Sequence, residues 1–225
     1  MQQPEVLFES NQLLIINKPS GMISEQNPFE ALTAESMALA HVGSKIRDPY
    51  VGVVHRLDRV TSGVLLFAKK RSVLKQLNQW FADRKIQKTY LALVDQPPPK
   101  ETGNLEHYLE TDQKAKKAVV RGSKTAASKL AKLTYSVVGK TEHHWLIAIK
   151  PTTGRFHQIR AQLAHIGCPI IGDTTYGGTS FEKNTIALHA WKIELPESIN
   201  ASPIQFEAPL PSTTIWKNAP SQITF

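Results

Sequence analysis

The sequence predicts an α+β fold with a mixed, mainly antiparallel β-sheet core and flanking helices and loops. Short apolar and β-branched runs, typical of strands, outnumber the stretches with helical spacing. Most of these runs follow one another through turns or loops rather than through helices, which favours such a sheet. The chain has 225 residues, of which 41% are apolar, so it is long enough to bury one sizeable core.

The predicted strands are apolar runs bounded by turn residues. A tight loop follows the second strand, because Pro19 lacks an N–H group and Gly21 can adopt positive φ. Lys18, beside this loop, is expected to be solvated. Residues 95–125, which contain three consecutive prolines, are predicted to be a loop-rich excursion from the sheet. The strands are predicted at residues 6–8, 13–16, 51–54, 64–67, 88–94, 132–138, 145–150 and 187–195.

Two helices are predicted in the first half of the chain. The first covers residues 29–41 and is expected to end near Gly43. The second begins after Ser72, a residue type that commonly caps helix N-termini. Val73 and Leu77 then begin an apolar stripe with helical spacing.

A third helix is predicted late in the chain. Ile159 and Leu163 are four residues apart, and Gly167 follows as a C-cap. Arg155 and Arg160 are expected in its first turns, where a positive charge opposes the helix dipole. An arginine in that position suggests a specific anionic partner.

A polar stretch at residues 55–63, with the sequence His-Arg-Leu-Asp-Arg-Val-Thr-Ser-Gly, lies between two apolar runs. Asp58 is bracketed there by Arg56 and Arg59. Polar loops held by rigid strands often carry functional sites. The residues of this loop alone fit a strand–loop–strand turn with a surface ion pair equally well, because structural ion pairs also cluster charges.

The charge of the chain favours a polyanionic partner. The formal net charge is +8 and the pI is about 9.5. Residues 113–140 contain eight Lys or Arg residues and no Asp or Glu, and residues 69–88 contain seven more against one acid. Basic surfaces bind nucleic acids by releasing the counterions of phosphates. Two segments with so large an excess of positive charge are harder to explain as a solvated face than scattered charges would be.

Other classes of protein are not favoured. Cys168 is the single cysteine, so the chain can form no internal disulfide and no thiolate metal cluster. The eight histidines show no metal-ligand spacing, and we predict neither metal nor cofactor. The sequence contains no signal peptide and no apolar run of about 20 residues. We therefore expect a cytoplasmic monomer without a membrane partner.

Three blocks of the sequence together resemble the RluA-type branch of the RNA pseudouridine synthases. The resemblance extends from Asn17 to Pro209 and implies the pseudouridine synthase fold. Each block is moderately specific, and their order and spacing together are highly specific. The blocks are residues 55–63, residues 88–92, and residues 154–160 followed by 169–173 and Tyr176-Gly177.

The resemblance implies a role for single residues. Three departures from the family pattern concern the substrate: residues 22–26 replace a usual histidine-proline segment, Ala161-Gln162 replaces a frequent valine-histidine pair, and Phe156 stands where a small hydroxyl residue is usual. The implied roles are Asp58 as the catalytic aspartate, Tyr90 as the tyrosine that stacks against the target base, Arg160 as the arginine that pairs with the aspartate, Arg56 as the arginine that fills the space left by the flipped nucleotide, Arg155 as support for the site, and His55 as a further substrate contact.

The resemblance also bears on domain organisation. Only 16 residues precede Asn17, so we expect residues 1–225 to form one catalytic domain without the S4-like RNA-binding domain of many relatives. Contacts to RNA would then come from the catalytic domain itself. The basic segment is the leading candidate for them, through Lys116, Lys117 and Arg121.

The implied reaction converts a uridine of structured RNA, ribosomal or transfer, into pseudouridine. A carboxylate suits this isomerisation because it can attack and later leave. An arginine nearby would favour its charged form. Two other classes remain open. The first is a catalytically idle RNA-binding or ribosome-assembly factor. The second is a nucleoside hydrolase, which would usually need a second carboxylate as general acid.

Overall fold

The computed structural model describes residues 5–141, 143–199 and 201–217. It divides into two compact units. Unit 1 consists of Met1–Lys88 and Ala190–Leu210, and unit 2 consists of Thr89–His189 and Pro211–Phe225. The strands are β1 Glu5–Glu9, β2 Leu13–Lys18, β3 Gly52–Val53, β4 Ser62–Ala68, β5 Gln87–Val94, β6 Thr102–Asp112, β7 Lys117–Arg121, β8 Lys129–Lys140, β9 Trp145–Pro151, β10 Leu188–Glu194 and β11 Gln205–Glu207; the α-helices are α1 Ala34–Gly43, α2 Arg71–Ala82 and α3 Gln158–His165.

Unit 1 is an antiparallel arrangement of strands covered by a helix. Strand β2 pairs with β1 and β4, β3 also pairs with β4, and β11 pairs with β10. One face of β2 and β4 packs against α2 through Leu13, Leu66, Val73 and Leu77, which belong to one buried cluster. The register Lys18↔Gly63 places the C-terminal end of β2 beside the N-terminal end of β4.

Gly63 is required where β4 begins. Its φ is +115°, in the region that favours glycine, and a Cβ atom there would collide with the backbone carbonyl of Ala190. The glycine that ends the 55–63 stretch therefore lets β10 approach β4 closely.

Unit 2 is a five-stranded antiparallel sheet in the order β5-β9-β8-β6-β7. Helix α3 packs against β6 and β7. A small apolar cluster joins them through Leu109, Ala118, Ala131 and Ala161. The predicted α+β fold class is confirmed, with strands that pair mainly with antiparallel neighbours.

The prediction of a loop-rich region over residues 95–125 was wrong. The structure places β6 and β7 there, joined by a short turn. Side chains of β6 alternate between exposed and partly buried along its first half, the pattern of a strand with one solvated face. Polar residues on that solvated face concealed the strand from a search for apolar runs.

Two predicted helix starts also need correction. Helix α1 begins at Ala34 rather than at residue 29, because Thr33 forms a capping box with Ser36. Phe29 and Leu32 consequently lie in the loop before the helix. Helix α2 begins at Arg71 with Lys70 as its N-cap, so Ser72 is inside the helix.

Candidate active site

The Asp58 loop, residues 54–61, connects β3 to β4 in unit 1. A second loop, residues 19–24, leaves the neighbouring end of β2 and lies against it. Hydrogen bonds join the second loop to residues on both sides of Asp58, so the backbone that carries this carboxylate is held in place. The bonds run between the Ser24 hydroxyl and Leu57 (2.9 Å to its carbonyl, 3.0 Å from its N–H), from the Gly21 N–H to the Arg59 carbonyl (2.8 Å), and from the Ser20 hydroxyl to the Val60 carbonyl (3.2 Å).

Lys18 lies beneath the Asp58 loop, fully buried, and the expectation that it is solvated was wrong. Its Nζ donates to the carbonyl oxygens of Pro19 (2.8 Å), Met22 (2.7 Å) and Arg59 (3.3 Å), so each ammonium proton has an acceptor. Burial lowers the pKa of Lys18 to about 7, against the opposing effect of the Asp58 carboxylate, which favours the charged lysine. The protonated form of Lys18 brings positive charge close to Asp58, and with this pKa that form is only partly populated near pH 7.

The position of Lys18 in β2 is the signal that sequence reasoning missed. All but one of the six side chains of this strand are buried, and Lys18 is its last residue. A lysine at the end of such a strand stays buried only if carbonyl groups are aimed at it. The three carbonyls come from turns whose geometry no spacing rule reveals.

Arg56 and Arg59 flank Asp58 and form ion pairs with carboxylates of residues 25–30. The Arg56 Nη1 lies 3.0 Å from Glu25 Oε2, and 71% of the arginine side chain is exposed. Arg59 makes a bidentate pair with Glu30. The sequence predicted an arginine pair around Asp58; the structure adds the acidic segment that holds both guanidinium groups.

His55 lies near the start of the Asp58 loop as a partly buried, neutral side chain. Its Nε2 accepts a hydrogen bond from the Leu66 N–H at 3.2 Å, and its ring stacks on Phe81 with the centroids 5.3 Å apart. Burial, assisted by the nearby Lys88 charge, lowers the pKa of His55 to about 3. These contacts attach the loop to β4 and α2, whereas a contact of His55 with substrate stays a prediction.

The depressed pKa of His55 predicts a pH-dependent contribution to stability. Between the folded pKa of about 3 and the ordinary value of 6.5, the unfolded chain binds a proton that the folded chain does not, so stability falls as pH falls. Compared with His55→Gln, whose amide oxygen can still accept from Leu66, wild type should lose about 2 kcal/mol more between about pH 7 and pH 5 in urea unfolding. Parallel stability curves for the two proteins would contradict this assignment.

Tyr90 lies on β5 in unit 2, in a partly buried position opposite Ile149 of β9. Its neighbours Thr89 and Leu91 are buried, as alternation along a strand requires. The strand therefore presents the Tyr90 ring on the opposite face from those two side chains.

Arg160 is held by a carboxylate that sequence reasoning gave no role. Its Nε lies 2.6 Å from Asp173 Oδ2 and its Nη2 lies 2.8 Å from Asp173 Oδ1, with both side chains almost fully buried. The guanidinium also lies over the Tyr176 ring, 5.2 Å from its centroid. The sequence signal was present, because Asp173 and Tyr176 belong to the block that follows Arg160, but the pairing depends on the fold.

Arg155 lies before α3 and not in its first turn, so that expectation was wrong. The helix begins at Gln158, because its N-cap His157 has a left-handed backbone with φ of 49°. The Arg155 Nε donates to the Leu130 carbonyl at 3.0 Å, and its N–H donates to Gln158 Oε1 at 3.0 Å. Arg155 therefore fastens the segment before α3 to β8.

The basic hairpin, residues 112–121, contains Lys116, Lys117 and Arg121. Lys116 lies in its turn, with φ of 50°, and Lys117 begins β7. Arg121 forms a bidentate ion pair with Glu110 of β6. The basic segment predicted from sequence, residues 113–140, begins after β6. The pairing of β6 with β7 brings Glu110 beside that segment. The positive charge of the hairpin is accordingly greatest at its lysines.

The described ranges 5–141, 143–199 and 201–217 contain neither a cluster of metal ligands nor a helix that could span a membrane. In them, no three His, Cys, Asp or Glu side chains are grouped to hold a metal ion. No helix in these ranges has the length and apolar character needed to span a membrane.

The family of the chain follows from comparison with known proteins. A family model described as RNA pseudouridylate synthase matches residues 12–165, a range that includes the Asp58 loop, Tyr90 and Arg160. The chain belongs to the RNA pseudouridylate synthase family. The resemblance found in the three sequence blocks is thereby confirmed.

Individual members of the RNA pseudouridylate synthase family support the assignment. Ribosomal large subunit pseudouridine synthase D of Borreliella burgdorferi is 33% identical over 207 residues, covering 87% of this chain and 62% of its own. Synthase C of Buchnera aphidicola is 33% identical over 225 residues, covering 95% and 70%. The chain thus spans about two thirds of the length of these relatives.

A solved structure shows the same fold. Human RNA Pseudouridylate Synthase Domain Containing 4 superposes with a TM-score of 0.76 at 22% identity, covering 92% of this chain and 89% of the human one. The α+β architecture is therefore that of the pseudouridine synthases.

Proposed function

We propose that this protein is an RNA pseudouridine synthase that uses Asp58 as its covalent catalyst. The observation that carries the proposal is the family match over residues 12–165, which contains the Asp58 loop. The geometry of unit 1 supports it, because hydrogen bonds on both sides of Asp58 hold the loop. A carboxylate carried on a fixed backbone suits nucleophilic catalysis.

The reaction breaks the bond between the sugar C1′ and N1 of uracil and forms a bond from C1′ to C5. Asp58 attacks either the base or C1′, and its departure later restores the carboxylate. In the last stage the C5 proton leaves and N1 takes up a proton, so that no proton is gained or lost overall. The Tyr90 hydroxyl is our proposed route for the C5 proton, which it accepts while it passes its own proton to solvent. The reaction involves no net oxidation and no net addition of water.

Access to the target uridine requires its extrusion from the RNA. Base flipping costs a few kcal/mol and least in loops, where bases are already unstacked. Arg56 lies two residues before Asp58 and is largely exposed, which suits a side chain that fills the vacated space. We retain the roles that the resemblance gives to Tyr90, stacking against the base, and to Arg160, pairing with the aspartate.

We infer that the substrate is ribosomal RNA, and transfer RNA is the alternative to test. The relatives named above are synthases of the ribosomal large subunit. The test is tritium release from RNA labelled at uridine C5, with separate ribosomal and transfer RNA pools from cells that lack this protein. Release from one pool would establish both the reaction and the substrate class. Binding without release would favour an RNA-binding factor, and free uracil would favour a hydrolase.

The basic hairpin supplies a prediction for RNA affinity. Charge reversal at Lys116 and Lys117 should weaken RNA binding and reduce the slope of log K against log salt by about 1 to 2, because each lost phosphate contact removes about 0.7 to 0.9. Arg121→Glu should have a smaller effect on the slope, since Glu110 already pairs with this arginine. Filter binding over about 50 to 200 mM salt measures both quantities.

A matched control for the hairpin is Lys140→Glu. Lys140 is also basic but lies against Trp145, at the far end of β8 from the hairpin. If the hairpin variants and this control change the slope equally, or if the hairpin variants leave it unchanged, the RNA-binding surface lies elsewhere.

A further inference from the structure

The loop at residues 25–30 presents the most exposed large apolar side chain of the described part of the chain. Phe29 is 92% exposed, whereas the other exposed large apolar residues range from 45% to 51%. Scattered apolar residues are normal on protein surfaces, so exposure alone implies no function. The way in which this loop is held distinguishes Phe29 from the others.

The backbone around Phe29 is fixed by a local turn. The Asn27 Oδ1 accepts hydrogen bonds from the N–H groups of Phe29 (2.8 Å) and Glu30 (2.9 Å), and Asn27 and Glu30 form an isolated β-bridge. Pro28 restricts the turn further, because its ring fixes φ. The phenyl ring is thus displayed from an ordered turn.

The same loop is attached to the Asp58 loop and to α1. Glu25 pairs with Arg56, Glu30 pairs with Arg59, and the Gln26 N–H donates to Glu35 of α1 at 2.8 Å. Glu30 is the neighbour of Phe29, and Arg59 is the neighbour of Asp58. These ion pairs join the loop that carries Phe29 to the loop that carries the proposed nucleophile, within unit 1.

We propose that Phe29 stacks on an unpaired base of the substrate RNA near the target uridine. The inference rests on the proposed function and extends it to substrate recognition. A phenyl ring on a fixed backbone turn has only two side-chain torsions to immobilise when a base covers it, and every base offers a face for stacking.

The experiment compares Phe29→Ala, Phe29→Leu and Phe29→Trp in tritium release, using the RNA pool on which wild type acts. Base–aromatic stacking is worth about 1–3 kcal/mol, so Phe29→Ala should raise KM roughly 5- to 140-fold while kcat stays within about twofold. Phe29→Trp should keep a wild-type KM, and Phe29→Leu should fall between the two. Ile46→Ala is the control, because Ile46 is also exposed in unit 1 but lies after α1.

Three outcomes would overturn the stacking role. The first is an unchanged KM for Phe29→Ala. The second is a wild-type KM for Phe29→Leu, which would indicate a general apolar contact. The third is a Phe29→Ala variant that loses self-association of the protein without a change in KM, which would indicate a contact between protein copies. Dissociation constants for RNA, measured for the same variants, test stacking separately from catalysis. A wild type that binds RNA but releases no tritium would reject the proposed function alone.

Discussion

Replacing Asp58 with Asn or Ala should abolish pseudouridine formation while leaving RNA binding intact. Neither replacement can attack and leave as a carboxylate does, and loss of a covalent catalyst typically costs at least about 10⁴-fold in rate. The loop should survive the change, because its bonds to residues 19–24 come from the backbone of neighbouring residues. Single-turnover tritium release measures the loss, and filter binding measures the retained affinity.

Asp58→Glu is the informative control for this experiment. It keeps the charge and moves the carboxylate by one methylene, a displacement that can cost about 100-fold when geometry is demanding. Intermediate activity of this variant, with none for Asn or Ala, would identify a positioned carboxylate as the requirement. Retained turnover in both Asn and Ala variants would remove Asp58 from the proposed role.

The sequence predicted elements well where apolar residues dominate. Strands β2, β4, β5 and β9 differ from their predicted bounds by at most two residues at each end, because their side chains are buried and their pattern is continuous. Strand β6 was missed because its polar residues belong to a solvated face. Pattern recognition therefore worked for strands with continuous apolar runs and failed for β6, a strand with one solvated face.

The candidate site shows a similar division. The sequence blocks predicted Asp58, Tyr90 and Arg160 as catalytic residues. They did not predict the groups that form hydrogen bonds and ion pairs around them. The Arg59 carbonyl that accepts from Lys18 and the Asp173 partner of Arg160 come from other segments, which meet these side chains only after folding. A local pattern can indicate a reactive side chain, whereas the supporting contacts require tertiary structure.

Replacing Arg160 with Ala should destabilise the protein strongly as well as slow catalysis. The variant would leave the Asp173 carboxylate, 1% exposed, without its bidentate guanidinium. Breaking a buried ion pair in this way typically costs about 3–5 kcal/mol. Urea unfolding measures the loss. Arg160→Lys should recover part of it, because an ammonium keeps the charge but cannot form two parallel hydrogen bonds.

The stability loss and the proposed catalytic role of Arg160 can be separated with a double variant. Arg160→Met combined with Asp173→Leu removes both charges, and apolar pairs of similar volume often match a buried ion pair in stability. We expect the double variant to be more stable than Arg160→Ala by about 2 kcal/mol or more. If Arg160 also supports the nucleophile, tritium release by this stable double variant should remain slow. Recovery of wild-type turnover would show that Arg160 serves the fold alone, and its pairing with the catalytic aspartate would have to be abandoned.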